Sequence, residues 1–148
     1  MINKDYPFQI NRGVNKVTQK GVTAFVAHNL CVYGVRHLFS TRVGGVSEGA
    51  YESMNLSWRQ SDSMENIKKN FSIIADAYEF DENNIVFAEQ THSASVAYVG
   101  NEDKNGMRMK EHLIPNVDAL ITDQKNVVLT ARTADCVPVL LYDGNGAI

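Results

Sequence analysis

The chain has 148 residues, 44% apolar and 21% charged, close to globular averages and inconsistent with a disordered or fibrous chain. Its 14 basic and 17 acidic residues give a net charge of −3, which argues against a basic nucleic-acid surface and leaves any bound anion to a few local groups. No apolar run approaches a membrane span, the opening MINKDYPFQINRG lacks a signal-peptide core, and Cys31 and Cys136 make a poor disulfide framework, so a reducing cytoplasm is the expected location.

No repeat, low-complexity tract or linker interrupts the chain, and a single domain over 1–148 is expected. Residues 22–27 (VTAFVA) and 34–41 (GVRHLFST) are β-rich runs predicted to form neighbouring strands joined around Asn29–Tyr33. The glycine- and hydroxyl-rich stretch 42–57 (RVGGVSEGAYESMNLS) reads as a loop. A helix follows, with Asp62 as its cap, Glu65 three places on, and Met64, Ile67, Phe71, Ile74 and Tyr78 recurring at spacings of three and four; it is expected to stop near Phe80–Asp81. Strands are predicted at 85–89, 95–99, 117–122 and 126–131, with a surface loop at 100–115 and a turn at Asp123–Lys125. The last apolar run, 137–142 (VPVLLY), reads as a strand with Pro138 near its start or edge. One helix among many strands in irregular order points to an α+β fold of mixed β-sheets with flanking helices.

Asp143-Gly144-Asn145-Gly146 is a strong hairpin-turn signal. Only Ala147 and Ile148 follow it, so the second arm of that hairpin is expected in a further segment or another chain.

Cys136 lies in RTADCVPV (132–139) beside Asp135, whose charge raises a thiol pKa; a metal ion would reverse that penalty. The competing reading is a buried, inert core cysteine. His92, in EQTHSA (89–94), follows a predicted strand among polar residues, either as a functional group at a strand end or as a surface histidine bonded to backbone. The separation of His92 from Cys136 matches no short-range zinc pattern. His28 and His112 read as ordinary loop or strand-end residues, and His37, inside a strand, as a bonded core histidine. In HLFSTRVGGVS (37–47), Ser40, Thr41 and Arg42 supply hydroxyls and a guanidinium, and Gly44-Gly45 permits close backbone approach to a phosphate or ribose; the alternative is a glycine turn with a surface arginine.

Taken in order, HLFSTRVGGVSEGAYESMNLS (37–57), FAEQTHSASV (87–96), VDALIT (117–122) and RTADCVPVLLYD (132–143) resemble the laccase-domain family, formerly called multicopper polyphenol oxidases and now read as purine nucleoside phosphorylases. The likeness extends over roughly three-quarters of the chain, as one shared domain would. It implies a CNF/laccase-domain-like α+β fold of which 1–148 is the N-terminal part, incomplete at its C-terminus.

The resemblance also implies a zinc, or a copper, held by His92, by Cys136 and by a third histidine in a segment shortly after residue 148. Catalytic zinc takes three protein ligands and an open position, so the chain as given is expected to bind metal weakly and to be inactive. The implied reaction is phosphorolysis of adenosine or inosine, with purine nucleoside and phosphate as partners, Ser40 and Arg42 on the anion or ribose, and Asn55 as a further polar contact. Adenosine deamination, with Asp135 as a proton carrier beside Cys136, is a second implied activity. A metal-free cysteine hydrolase using Cys136 with His92 is an alternative. A polyphenol oxidase is disfavoured because four histidines and two cysteines are too few for clustered copper sites.

Overall fold

The computed structural model describes residues 13–58 and 61–148, which fall into two compact units, one up to Glu79 and one from Phe80 onward. Together they form an α+β structure of several small sheets and few helices, as the residue pattern indicated.

In the first unit a hairpin joins β1 (Val14–Gln19) to β2 (Val22–Ala27), in register from Val14 opposite Ala27 to Gln19 opposite Val22. Its two-residue turn has positive φ at both Lys20 and Gly21, the geometry that matches the strands' right-handed twist. β1 was not anticipated, because VNKVTQ has only two apolar residues and is half-exposed. After a one-turn helix, α1 (His28–Cys31), the short β3 (Phe39–Ser40) pairs antiparallel with Ala24 and Phe25. The strand expected over 34–41 is therefore real only at its end. Val22, Ala24 and Val26 point inward from the central strand and are fully buried.

The helix α2 (Met64–Ala77) buries Ile67, Phe71 and Ile74, each worth about 1.5–3 kcal/mol. Its cap is Ser63, whose hydroxyl accepts from the N–H groups of Glu65 and Asn66, rather than Asp62. The helix ends earlier than expected because Glu79 takes the left-handed conformation just beyond the cap residue Tyr78.

The second unit holds two parallel strand pairs: β4 (Ile85–Phe87) with β7 (Val128–Thr130), and β5 (Val96–Tyr98) with β6 (Ala119–Ile121). Val86, Ala88, Val99, Val117 and Leu120 form its core, against which Ile114, Val127 and Leu129 pack. All four strands lie within the predicted runs. The loop at 100–115 contains short 3-10 turns at Asn101–Asp103 and within Gly106–Glu111, the latter broken by a kink at Met109.

The run 137–142 is not a strand. Val137 and Val139 are 85% and 66% exposed, and Tyr142 alone makes an isolated bridge, to Ala147. An apolar segment becomes a strand only when a neighbour accepts its backbone hydrogen bonds, and among the described residues none runs alongside 137–140. The turn at 143–146 forms as expected, with the Asp143 carboxylate accepting from Asn145 and Gly146. Ile148 pairs in both directions with Leu141, and Ala147 in both directions with Thr122, so these two residues act as a short second arm.

Candidate functional site

Where β4 ends, the chain is steered into a tight turn by two side chains. Gln90 uses its amide like a peptide group: Nε2 donates to the Arg132 carbonyl at 3.1 Å, and Oε1 accepts from the Arg132 N–H at 2.9 Å. This continues the β4–β7 pairing past the strand ends and ties the segment carrying His92 to a point four residues before Cys136. The Arg132 side chain reinforces the tie by donating to the Ala88 carbonyl.

The turn itself is closed by Asp118. Its carboxylate accepts from the N–H groups of Thr91, His92 and Ser93 at 3.1, 3.0 and 2.7 Å, and from the Ser93 hydroxyl at 2.9 Å. Asp118 reaches the turn because the start of β6 is registered on β5, with Asp118 N–H and Ala119 N–H both donating to the Ser95 carbonyl. The Ser93 N–H, with its hydroxyl and the Thr91 and His92 N–H groups, holds the Asp118 carboxyl down to about 2, outweighing the opposing desolvation.

His92 sits in this turn with φ of 59°, in the left-handed region, and is exposed. Asp135 and Cys136 are exposed on a bend, and the thiol is free. Cys136 is thus not part of the core of the described residues. Imidazole and thiol are donors that suit zinc or copper. Among the described residues, however, no group of three His, Cys, Asp or Glu side chains could hold a metal ion, so the donor chemistry suits a metal while the described residues make no complete site.

Ser40, Arg42 and Asn55 belong to the first unit. Ser40 lies in β3 opposite Ala24. Arg42 lines an open pocket of about 490 Å³ with Val43, Gly44, Gly49, Glu52 and Ser53. Within it, Arg42 Nη2 donates to the Ala50 carbonyl at 2.9 Å and Nε to that of Glu52, so part of the guanidinium holds its own loop. The chain's own backbone already leaves no room for a side chain at either glycine. A Cβ on Gly44 would lie 2.6 Å from the Gly21 carbonyl oxygen, and one on Gly45 only 2.5 Å from Met54 Cα.

Asn55 donates to Asp62 at 2.8 Å and receives the Ser57 N–H at 3.0 Å. Asp62 also accepts from the Ser47 hydroxyl, the Ser63 N–H and the Asn66 amide, with Asn55 and Ser47 chiefly responsible for holding its carboxyl below the usual range. The fully buried Asn70 completes the network, accepting from Val46 N–H and donating to Ser47 Oγ and to the Asn55 carbonyl.

His37 is the bonded histidine expected, accepting from Ala27 N–H at Nε2 with Nδ1 on the Val35 carbonyl. Asp118, the Gln90–Arg132 pairing and Asn70 were not singled out from the residues. Asp118 had a signal, a carboxylate opening an apolar strand, and so did Asn70, an amide set into the apolar stripe of α2.

The multi-copper polyphenol oxidoreductase laccase family profile matches residues 36–148, and the chain belongs to that family. A purine nucleoside phosphorylase of Corynebacterium glutamicum is 34% identical over 114 residues, 77% of this chain and 44% of that protein. The purine nucleoside phosphorylase YlmD of Bacillus subtilis is 38% identical over 106 residues, 71% of this chain and 38% of that one. Among solved structures, YfiH of Bacillus licheniformis superposes with a TM-score of 0.71 at 30% identity, covering 85% of this chain and 43% of that one. YlmD of Geobacillus stearothermophilus gives 0.72 at 26%, covering 95% and 49%. The chain thus spans less than half the length of these relatives.

Proposed function

We propose that this chain is the N-terminal part of a larger laccase-domain fold acting as a cytoplasmic, metal-dependent purine nucleoside phosphorylase, with 1–148 belonging to one domain of it. The observation that carries the reading is the exposed imidazole of His92 on a turn closed by Asp118 and tied through Gln90 to the Cys136 segment. The relatives' shared name, purine nucleoside phosphorylase, supports the reaction class. Among the described residues no helix is long and apolar enough to cross a membrane.

In phosphorolysis a phosphate oxygen bonds to the anomeric carbon, the glycosidic bond breaks, and its electron pair leaves with the purine, which must take up a proton. On this reading Arg42 and Ser40 hold the phosphate or ribose oxygens and Asn55 shapes the same loop, while Asp135 is the proton carrier of the alternative deamination chemistry. His92 and Cys136 would hold zinc, with copper as the alternative metal, and a third ligand would be supplied outside this cluster. When bound, such a metal supplies Lewis acidity on the purine side. Adenosine deamination is a second activity of the same centre.

The test uses the chain alone and the chain co-expressed with the part of Bacillus subtilis YlmD that it does not match, each incubated with inosine or adenosine, with and without phosphate. Chromatography is expected to show free base and ribose 1-phosphate only with phosphate present, only in the co-expressed preparation, and not after chelation. Ammonia release independent of phosphate would replace phosphorolysis by deamination. Activity lost on thiol alkylation but insensitive to chelator would replace both by cysteine hydrolysis.

A further inference from the structure

Asp118 has no place in the chemistry above, yet its carboxylate receives three consecutive backbone N–H groups and one hydroxyl, all from the turn that carries His92. Outside a helix N-terminus, successive N–H groups can be brought onto one point by a residue of opposite backbone hand, as the positive φ of His92 does here. The turn at 143–146 offers a contrast. There Asp143 also gathers two N–H groups, but glycine, Gly144, occupies the left-handed position at no steric cost. At 92 a residue with a Cβ and a ring is kept in that conformation, and its imidazole is exposed. The two ends of the turn are secured from different elements: Gln90 upstream on the Arg132 backbone, and Thr91–Ser93 on Asp118 at the head of β6.

We propose that Asp118 is a positioning residue, fixing the backbone of Thr91–Ser93 so that the His92 imidazole is presented to its ligand in one conformation. This rests on the reading of His92 as a metal ligand. It predicts an ordered turn in the absence of any metal, with the carboxylate as its cause.

The experiment measures amide hydrogen exchange by NMR on the isotope-labelled, metal-free chain, followed by zinc titration, against a chromophoric chelator, of the chain co-expressed with the part of Bacillus subtilis YlmD that it does not match. Asp118→Asn substitutes an amide for one carboxylate oxygen and removes the charge. Exchange at Thr91, His92 and Ser93 is expected to accelerate on the order of 10-fold while α2 and β4 keep their protection. Zinc affinity is expected to fall about 10-fold. Asp143→Asn, which removes the carboxylate from the other turn, should leave both readouts at wild-type values. If Asp118→Asn loses β5–β6 protection altogether, Ser93→Ala replaces it, deleting one of the bonds and keeping the carboxylate, with a smaller acceleration expected at the same amides.

Unchanged exchange at 91–93 overturns the proposal. Accelerated exchange with undiminished zinc affinity also overturns it, since Asp118 would then be a purely structural cap. A wild-type co-expressed preparation that binds no zinc, matching His92→Ala and Cys136→Ser, overturns the metal reading itself, and the presentation role falls with it.

Discussion

Gly45 packs so tightly on Ser53 and Met54 that its lack of a side chain is a structural requirement. A Cβ there would sit 2.5 Å from Met54 Cα and from the Ser53 carbonyl carbon, and backbone cannot retreat as a flexible side chain can. Gly45→Ala is therefore expected to destabilise the chain by about 1–3 kcal/mol, read as a fall in thermal midpoint. Gly13, which has open space around its Cβ position, should accept alanine with a change within about 0.5 kcal/mol. A Gly45→Ala chain as stable as wild type would mean that this loop does not make the close approach described.

At the scale of elements, the glycine loop and the start of α2 are joined by hydrogen bonds centred on Asp62 and Asn70. Asp62 bonds to the hydroxyl of Ser47, the amides of Asn55 and Asn66, and the N–H that leads into the cap residue Ser63. These donors favour the charged form, so the carboxyl is depressed in the folded chain. A depressed carboxyl contributes stability that is fully present above the unfolded-state value of about 4 and is lost as pH falls through the lower folded-state value. Wild type is therefore expected to exceed Asp62→Asn in thermal midpoint at neutral pH, with the gap closing on acidification from about pH 4 downward. A gap that stayed constant would show that the charge of Asp62 plays no part in holding the loop. The helix was legible from its spacing of three and four, whereas its cap was misplaced by one residue. Asp62 and Ser63 are both good capping types, and only the loop network decides which of them is otherwise engaged.

For the whole molecule, the consequential feature is the exposed apolar run from Val137 to Leu141. Exposed valines and leucines in one extended stretch are a self-association hazard. Val137→Lys with Val139→Lys is expected to lower aggregation, measured by light scattering, without moving the thermal midpoint, because neither side chain contributes to the described core. A large drop in midpoint would mean that the run is packed rather than exposed.

By itself the sequence determined the α+β class, the long helix, the positions of the second unit's strand pairs, the turn at 143–146 and the family, because apolar periodicity, turn chemistry and ordered motifs are local properties of a chain. Tertiary structure alone decided that β1 would pair, that 137–140 would not, and that Asp118 and Arg132 would hold the turn bearing His92. The reason is physical: a strand and a side-chain clamp both exist by virtue of partners distant in sequence, such as Asp118 for His92 and Arg132 for Gln90, and no window along the chain contains both members of such a pair.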